Sequence, residues 1–207
     1  MSGVAAVILA GGRGERLGGV IKANLVFGGR VLLERVSAAL SSADVILVAH
    51  GPLDPAVLSL RLGHIPIPDL PTDYAGPLAG LAAAVDWALA QSEPPEALLL
   101  APVDTPFLPP DYVARLLAGL AAAPAAIASF EGQPYPTSSA WRLDAVRDLS
   151  AGVRAGTAPH SLKRLAEALG AVTVPFPPHA GGDPFANANT PDELLALQRR
   201  AVAAAIR

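Results

Sequence analysis

The densest run of chemically useful residues lies between positions 9 and 22: Leu9-Ala10-Gly11-Gly12-Arg13-Gly14-Glu15-Arg16-Leu17-Gly18-Gly19-Val20-Ile21-Lys22. Glycines lack a Cβ, so their backbone N–H groups can converge on an anion and their φ angles can turn positive. Arg13, Arg16 and Lys22 add positive charge around the same concavity, which is the chemistry of a polyphosphate cradle. Two commoner phosphate loops are excluded. No Gly-Lys-Ser/Thr is present, as a P-loop needs, and Gly12-Arg13-Gly14 lacks a further glycine at the dinucleotide-binding spacing. A surface loop with solvated arginines has the same composition, so the loop gains meaning only with partners elsewhere in the chain.

Asp104 is one such partner. It follows the apolar run Ala97-Leu98-Leu99-Leu100-Ala101-Pro102-Val103. A carboxylate at the carboxyl end of a buried parallel strand stands where open α/β sheets bind ligands. One carboxylate does not hold a metal tightly by itself, but Mg²⁺ is usually held by one or two carboxylates together with substrate phosphates and water. The competing use is capping of the helix after Pro109, for which Thr105 and Asp111 are equally suited. The other partner is Asp69-Leu70-Pro71-Thr72-Asp73-Tyr74-Ala75-Gly76-Pro77-Leu78-Ala79-Gly80, which leads into an alanine-rich helix. Pro77 suits a helix start, and Gly80 one turn later leaves room for a flat ligand at the helix terminus. Asp69 or Asp73 could accept hydrogen bonds from a base or ribose, and Asp73 could equally cap the helix.

Other chemistries lack candidates. The chain has no cysteine and no Gly-x-Ser-x-Gly elbow, which leaves covalent catalysis, a disulfide framework and thiolate metal sites without residues. His50, His64, His160 and His179 show no metal-ligand spacing and read as surface or loop residues. A net charge of −3 and the absence of an aromatic-interleaved basic patch argue against nucleic acid as a partner. Apolar residues make up 52% of the 207 and charged residues 16%, so the chain can bury a core, built here from alanine and branched aliphatics. Of 15 basic residues 13 are arginine, which makes the lysine inside the glycine-rich loop conspicuous. The most membrane-like stretch, residues 112–130, contains Arg115, Gly119 and Pro124 and reads as a buried helix followed by a strand. No basic segment precedes the first apolar run, and glycines end that run early, so a soluble, cytoplasmic protein is expected, with no membrane partner.

These residues have to be positioned by something. Residues 4–10, 44–49 and 97–102 are apolar without polar alternation, the pattern of strands covered on both faces. Residues 31–40, 55–62 and 77–91 carry helical spacing. Alternation of strands and helices over the first 130 or so residues predicts an α/β fold, with a parallel or mixed sheet and helices on both sides. Beyond it, the sequence predicts a turn and short strand over 132–142, helices over 143–149 and 161–169, and a strand over 172–176. A final helix opens at Thr190-Pro191-Asp192-Glu193, where Thr caps, Pro takes the first helical position and Glu completes a capping box. No repeat or long linker divides residues 1–207, so one domain is expected.

Taken in order, the loop from Leu9 to Lys22 resembles the signature of bacterial molybdenum cofactor guanylyltransferases. The likeness continues through Asp73-Tyr74-Ala75-Gly76-Pro77-Leu78-Ala79-Gly80 and Val103-Asp104-Thr105-Pro106-Phe107-Leu108-Pro109-Pro110-Asp111. It returns at Tyr135-Pro136-Thr137 and at Phe185-Ala186-Asn187-Ala188-Asn189-Thr190-Pro191-Asp192-Glu193-Leu194. The resemblance implies a three-layer, Rossmann-like nucleotidyltransferase fold with a mostly parallel mixed sheet. It implies an enzyme that uses GTP and Mg²⁺ to join GMP to the terminal phosphate of molybdopterin-bound molybdenum, releasing pyrophosphate. On that likeness Leu9, Ala10 and Gly11 face the guanine side of GTP, Gly12 and Arg13 its phosphates, and Asp69 belongs to the nucleotide site. Lys22 contacts phosphate, Asp104 holds Mg²⁺, Asn187 and Asn189 lie near metal and acceptor phosphate, and Tyr135, Pro136 and Thr137 near the pterin. Cofactor-biosynthesis or recipient enzymes are the implied protein partners. Two positions depart from the family pattern: Ile21 stands where Asp usually precedes the lysine, and Val48 and His50 stand where Asn is common. Cytidylyl transfer to the same or a related acceptor, and a non-catalytic GTP-binding role in cofactor delivery, are the alternatives. The Gly11-Gly12 pair and the 76–80 block look more like the guanylyl branch.

Overall fold

The first strand, β1 (Val4–Leu9), is apolar throughout because each of its faces meets a different helix layer. Ala5 and Val7 pack with Leu81 and Val85, whereas Ala6 and Ile8 pack with Leu33, Val36 and Leu116. In this computed structural model, residues 3–12, 18–61, 63–71 and 76–205 are described. After β1 come β2 (Val26–Phe27), β3 (Arg30–Val31), α1 (Leu32–Ala39), β4 (Val45–Ala49), β5 (His64–Ile67), α2 (Pro77–Leu89) and β6 (Ala97–Pro102). The second half holds α3 (Tyr112–Gly119), β7 (Ala125–Phe130), β8 (Gln133–Arg142), α4 (Leu143–Val146), α5 (Leu149–Arg154), α6 (Leu162–Leu169), β9 (Val172–Pro175) and α7 (Pro191–Ala205).

Among the described residues seven strands form one sheet in the order β5-β4-β1-β6-β8-β7-β9. Of these, β8 runs against the rest, pairing antiparallel with β6 and β7. The chain moves outward from β1 through β4 to β5, then returns to place β6 on the other side of β1. That reversal is a topological switch point, and it leaves a crevice beyond the carboxyl ends of β1 and β6. Helices α2, α4, α5 and α6 cover one face, and α1 and α3 the other. A third, smaller core joins α7 to the β2–β3 hairpin through Phe27, Leu32, Phe107, Ala188 and Leu197. The sandwich of sheet between helix layers, mostly parallel, is the α/β fold expected from the sequence.

Three sequence expectations change. Of the helix expected over 55–62, the described residues 55–61 form only a single 3-10 turn, Pro55–Val57, followed by Leu58 in extended backbone. Asn24 is the reason: its amide donates to the Val57 carbonyl at 2.6 Å and accepts from Ser59 N–H at 2.9 Å, taking two groups a helix would need. The strand expected to be short is the longest in the sheet: β7 pairs with both ends of β8, and β6 joins it over residues 139–142. The helix over 143–149 is instead two short helices, α4 and α5. The capping box does form: Glu193 N–H donates to Thr190 Oγ1 at 3.2 Å, and Thr190 N–H donates to Glu193 Oε2 at 2.9 Å. Among the described residues no helix is long and apolar enough to cross a membrane.

Candidate active site

The switch point opens into a cleft of about 790 Å³. Its walls come from strand ends and the segments that follow them: Leu9 at the end of β1 with Gly11 and Gly12 after it, Gly51 and Pro52 after β4, Asp69 to Pro71 after β5, and Val103 and Asp104 after β6. The sequence therefore brings its motifs together through strand ends, as open α/β sheets do.

One end carries charge. Lys22 starts a 3-10 turn, Lys22–Asn24, and its Nζ donates to Asp104 Oδ2 at 2.6 Å and to Asn189 Oδ1 at 2.5 Å. Both charged side chains are nearly buried, 13% and 11% exposed, so this ion pair is only weakly screened by solvent. Asp104 therefore does not cap a helix; α3 begins after Asp111, whose carboxylate pairs with Arg115. The Ala188 N–H donates to the Asp104 carbonyl at 3.1 Å, which ties the loop carrying Asn187 and Asn189 to the end of β6. Asn187 and Thr137 complete this end of the cleft. Thr137 reaches it because β8 is irregular: Ser139 pairs with Ile127 and Tyr135 with Ala128, so residues 136–138 bulge from the ladder.

The rest of the lining is largely apolar, Leu9, Ala49, Leu70, Pro71, Pro77 and Ala79, with Asp69 among them. A Cβ on Gly11 would lie 3.0 Å from Asp69 Oδ2, one on Gly51 3.4 Å from the same oxygen, and one on Gly80 3.4 Å from Oδ1. Three glycines thus make the space this carboxylate occupies, and Gly51 needs its positive φ of 58° as well. Gly80 corrects a sequence expectation: it admits Asp69 and Leu9, whose Cδ2 would lie 2.8 Å from a Cβ there, rather than a ligand. Burial raises the Asp69 carboxyl above the ordinary aspartate range, opposed by a hydrogen bond from the Gly51 amide and by His50. Its Oδ1 is shut away from solvent and has no hydrogen-bond partner among the described residues, a cost that adds to the burial raising this carboxyl.

Of the sequence-predicted residues, Leu9, Gly11, Gly12, Lys22, Asp69, Asp104, Thr137 and Asn187 line the cleft. Asn189 joins through Lys22. Ala10 is 1% exposed and its side chain packs in the core, leaving only its backbone near the crevice. Tyr135 turns its hydroxyl to Asp183 at 2.7 Å and stacks on Phe185, and burial with the Asp183 carboxylate pushes its hydroxyl up to about 12. Arg13 and Asp73 lie outside the described residues. Sequence reasoning missed Gly51; His50 is a loop residue as expected, though a buried one at 6% exposed, with Nδ1 unpartnered among the described residues. The available signal was their place directly after β4, the same strand-end position that singled out Asp104.

A metal ion would find few protein ligands here. Among the described residues no three His, Cys, Asp or Glu side chains cluster as a cage. The candidate donors are the Asp104 carboxylate, Asn189 Oδ1, which shares the Lys22 ammonium with it, and Asn187, which lines the same cleft. Hard oxygen donors, one carboxylate and an open cleft suit Mg²⁺ that shares its shell with substrate phosphates, and do not suit a closed structural site.

Comparison with known proteins agrees with this geometry. Residues 6–174 match the model of the MobA-like NTP transferase domain. A molybdenum cofactor guanylyltransferase of Acidiphilium cryptum is 40% identical over 195 residues, covering 93% of each chain. Another, from Rhodobacter capsulatus, is 39% identical over 200 residues, covering 95% of this chain and 96% of the relative. Among solved structures, a molybdopterin-guanine dinucleotide biosynthesis protein A from Archaeoglobus fulgidus superposes with a TM-score of 0.72 at 23% identity, covering 97% of this chain and 99% of that one. A 2-C-methyl-D-erythritol 4-phosphate cytidylyltransferase from Thermus thermophilus shares the fold at a TM-score of 0.68 and 22% identity, covering 95% and 98%. With its glycine-lined crevice at the switch point and a matching family model over most of its length, the chain belongs to the MobA-like NTP transferase family.

Proposed function

We propose that this chain transfers GMP from GTP to the terminal phosphate of the molybdenum–molybdopterin cofactor, forming the guanine dinucleotide cofactor and releasing pyrophosphate. The observation that carries the chemistry is the Lys22 ammonium, held by Asp104 and Asn189 at the charged end of the cleft. An acceptor phosphate oxygen attacks the α-phosphorus of GTP in line, and the bond from that phosphorus to the β-phosphate oxygen breaks. A phosphate is already anionic near neutral pH, so no general base is needed. The barrier lies in bringing anions together and in the charge that grows on the leaving pyrophosphate, which calls for preorganised positive charge and N–H donors. Lys22 supplies the charge, and the backbone around Gly11 and Gly12 supplies donors. Asp104, with Asn187 and Asn189, would hold Mg²⁺, which contributes Lewis-acid neutralisation of phosphate charge when bound.

The choice of guanine rests on two supports. Relatives at 39–40% identity over most of the chain carry the guanylyltransferase name, whereas the cytidylyltransferase likeness is one of fold at 22%. Asp69 lines the cleft, its half-buried carboxylate offers an acceptor beside the apolar lining, and the edge of guanine presents adjacent N–H donors that cytosine does not match. Purified protein titrated with GTP and CTP, each with Mg²⁺, and assayed for pyrophosphate release with the molybdopterin acceptor tests the reading. Tighter binding of CTP overturns the base assignment, and absence of pyrophosphate release with GTP overturns the activity.

A further inference from the structure

Behind the Lys22–Asp104–Asn189 cluster stands a column of four side chains from four parts of the chain. The Arg35 guanidinium lies 5.0 Å over the Phe27 ring. Phe27 meets Phe107 edge to face at 5.5 Å, and the Arg200 guanidinium covers Phe107 at 4.0 Å. Phe27 comes shortly after the turn that carries Lys22, and Phe107 lies in the same loop as Asp104. Arg200 also caps a turn of the chain just before Asn187 and Asn189. Its Nε donates to the Ala180 carbonyl at 3.0 Å, its Nη1 to the Asp183 carbonyl at 2.7 Å, and its Nη2 to the His179 carbonyl. Three carbonyls point at one place because Ala180 and Gly181 have positive φ angles of 48° and 80°. Two of them also accept backbone N–H groups, His179 from Gly182 at 3.2 Å and Asp183 from Ala186 at 3.4 Å, and Arg200 ties all three together. Asp183 then fixes the start of the asparagine loop, accepting from Tyr135 Oη at 2.7 Å and from Phe185 N–H at 2.8 Å. The guanidinium fits this task because its edge forks to several acceptors while its face lies on an aromatic ring; an ammonium can do one or the other.

We infer that Arg200 is a positioning residue for nucleotidyl transfer: it joins the loop bearing Asn187 and Asn189 to the Phe107–Phe27 column, and so holds Asn189, Asp104 and Lys22 in mutual register. This rests on the transfer reaction proposed above for the same site. Arg200 touches no substrate; its effect runs through the loops it fastens.

The test compares Arg200→Lys and Arg200→Met with wild type, and with Arg154→Met as a control that loses a different arginine contact, the ion pair to Asp86. Turnover should fall by about 10–100-fold in both Arg200 variants, since small misplacements of reacting groups cost about that much, while KM for GTP moves by no more than about threefold. The Lys variant should not rescue turnover. Arg154→Met should lower the melting temperature and leave kcat unchanged. Hydrogen exchange of the Ala188 amide, bonded to the Asp104 carbonyl, should speed by about tenfold in the Arg200 variants. Unchanged kcat with a lowered melting temperature, or rescue by Arg200→Lys, overturns the inference. If wild-type protein releases no pyrophosphate, the functional reading fails, and Ala188 exchange alone decides: no change there in Arg200→Lys sinks the positioning role too.

Discussion

Replacing Lys22 by Met tests both the stability and the chemistry of the site. The methionine keeps an unbranched stem and removes the ammonium that bridges Asp104 and Asn189. Removing one partner of a buried pair costs about 3–5 kcal/mol, because the other charge is left uncompensated. Here the pair borders an open cleft, with side chains 13% and 11% exposed, so water can partly resolvate the carboxylate. The loss should therefore fall below that range, at about 2–3 kcal/mol. Asp104→Asn removes the charge that Lys22→Met strands, so the double variant should be more stable than the sum of single losses predicts. A coupling of about 1–3 kcal/mol is expected for two groups in direct contact. Turnover behaves otherwise. Loss of one preorganised electrostatic donor typically lowers kcat by about 10²–10³, and the double variant should recover none of it, since neither the cation nor the carboxylate returns. Urea denaturation of all four proteins, with pyrophosphate release measured on the same preparations, completes the cycle. Stability effects that add within about 0.5 kcal/mol would refute the buried pair. Turnover of Lys22→Met at the wild-type level would refute its place in the chemistry.

Asp69→Asn should raise the melting temperature near neutral pH while weakening GTP binding. Burial raises this carboxyl in the folded state, so folding is most favoured where the group is protonated and loses stability as pH rises from the unfolded aspartate range through the folded value. The stabilisation of the Asn variant should therefore disappear as pH falls below the ordinary aspartate range, which a series of thermal melts from acid to neutral pH checks. Gly11→Ala places a methyl 3.0 Å from Asp69 Oδ2 and 3.2 Å from the Gly51 nitrogen, neither of which can retreat cheaply. It should cost about 1–3 kcal/mol in denaturant midpoint-derived stability and reduce GTP affinity by calorimetry. Glu193→Ala removes the acceptor of the Asn189 and Thr190 amides, at 2.8 and 2.9 Å. It should cost about 0.5–2 kcal/mol, with a fall in kcat not shared by Ser161→Ala, which removes the side chain that caps α6 by accepting from Arg164 N–H.

Much of the fold was legible because its central strands need no subtle signal. Residues 4–9 and 97–102 are buried on both faces and bounded by glycine or proline, and each appears as a strand within a residue of its expected limits. The segment after Asp54 misled because its apolar spacing suits a helix, while Asn24, more than thirty residues earlier, takes its backbone groups. The length of β8 was hidden for a related reason: Pro134 and Pro136 argue against a long strand, but Pro134 pairs with β7 alone, on an edge β6 does not reach, and Pro136 falls in the bulge. The role of Gly80 reversed because a sequence shows that room exists near a helix start but not which neighbour fills it.

The sequence by itself determined which groups were available: a glycine-rich loop with a lone lysine, a carboxylate at each of two strand ends, and paired asparagines before a capped helix. It determined the strands too, since apolar runs of that length have nowhere to go but a doubly covered sheet. Only the tertiary structure decided that Lys22 meets Asp104, 82 residues away, and Asn189, 167 away, because that meeting depends on β6 lying beside β1 and on α7 docking over Phe107. It also decided that Asp69 sits in a slot cut by three glycines from three separate segments. Local preference acts over a few residues, whereas burial is settled by whichever distant surfaces fit together, and the site is built at the joins.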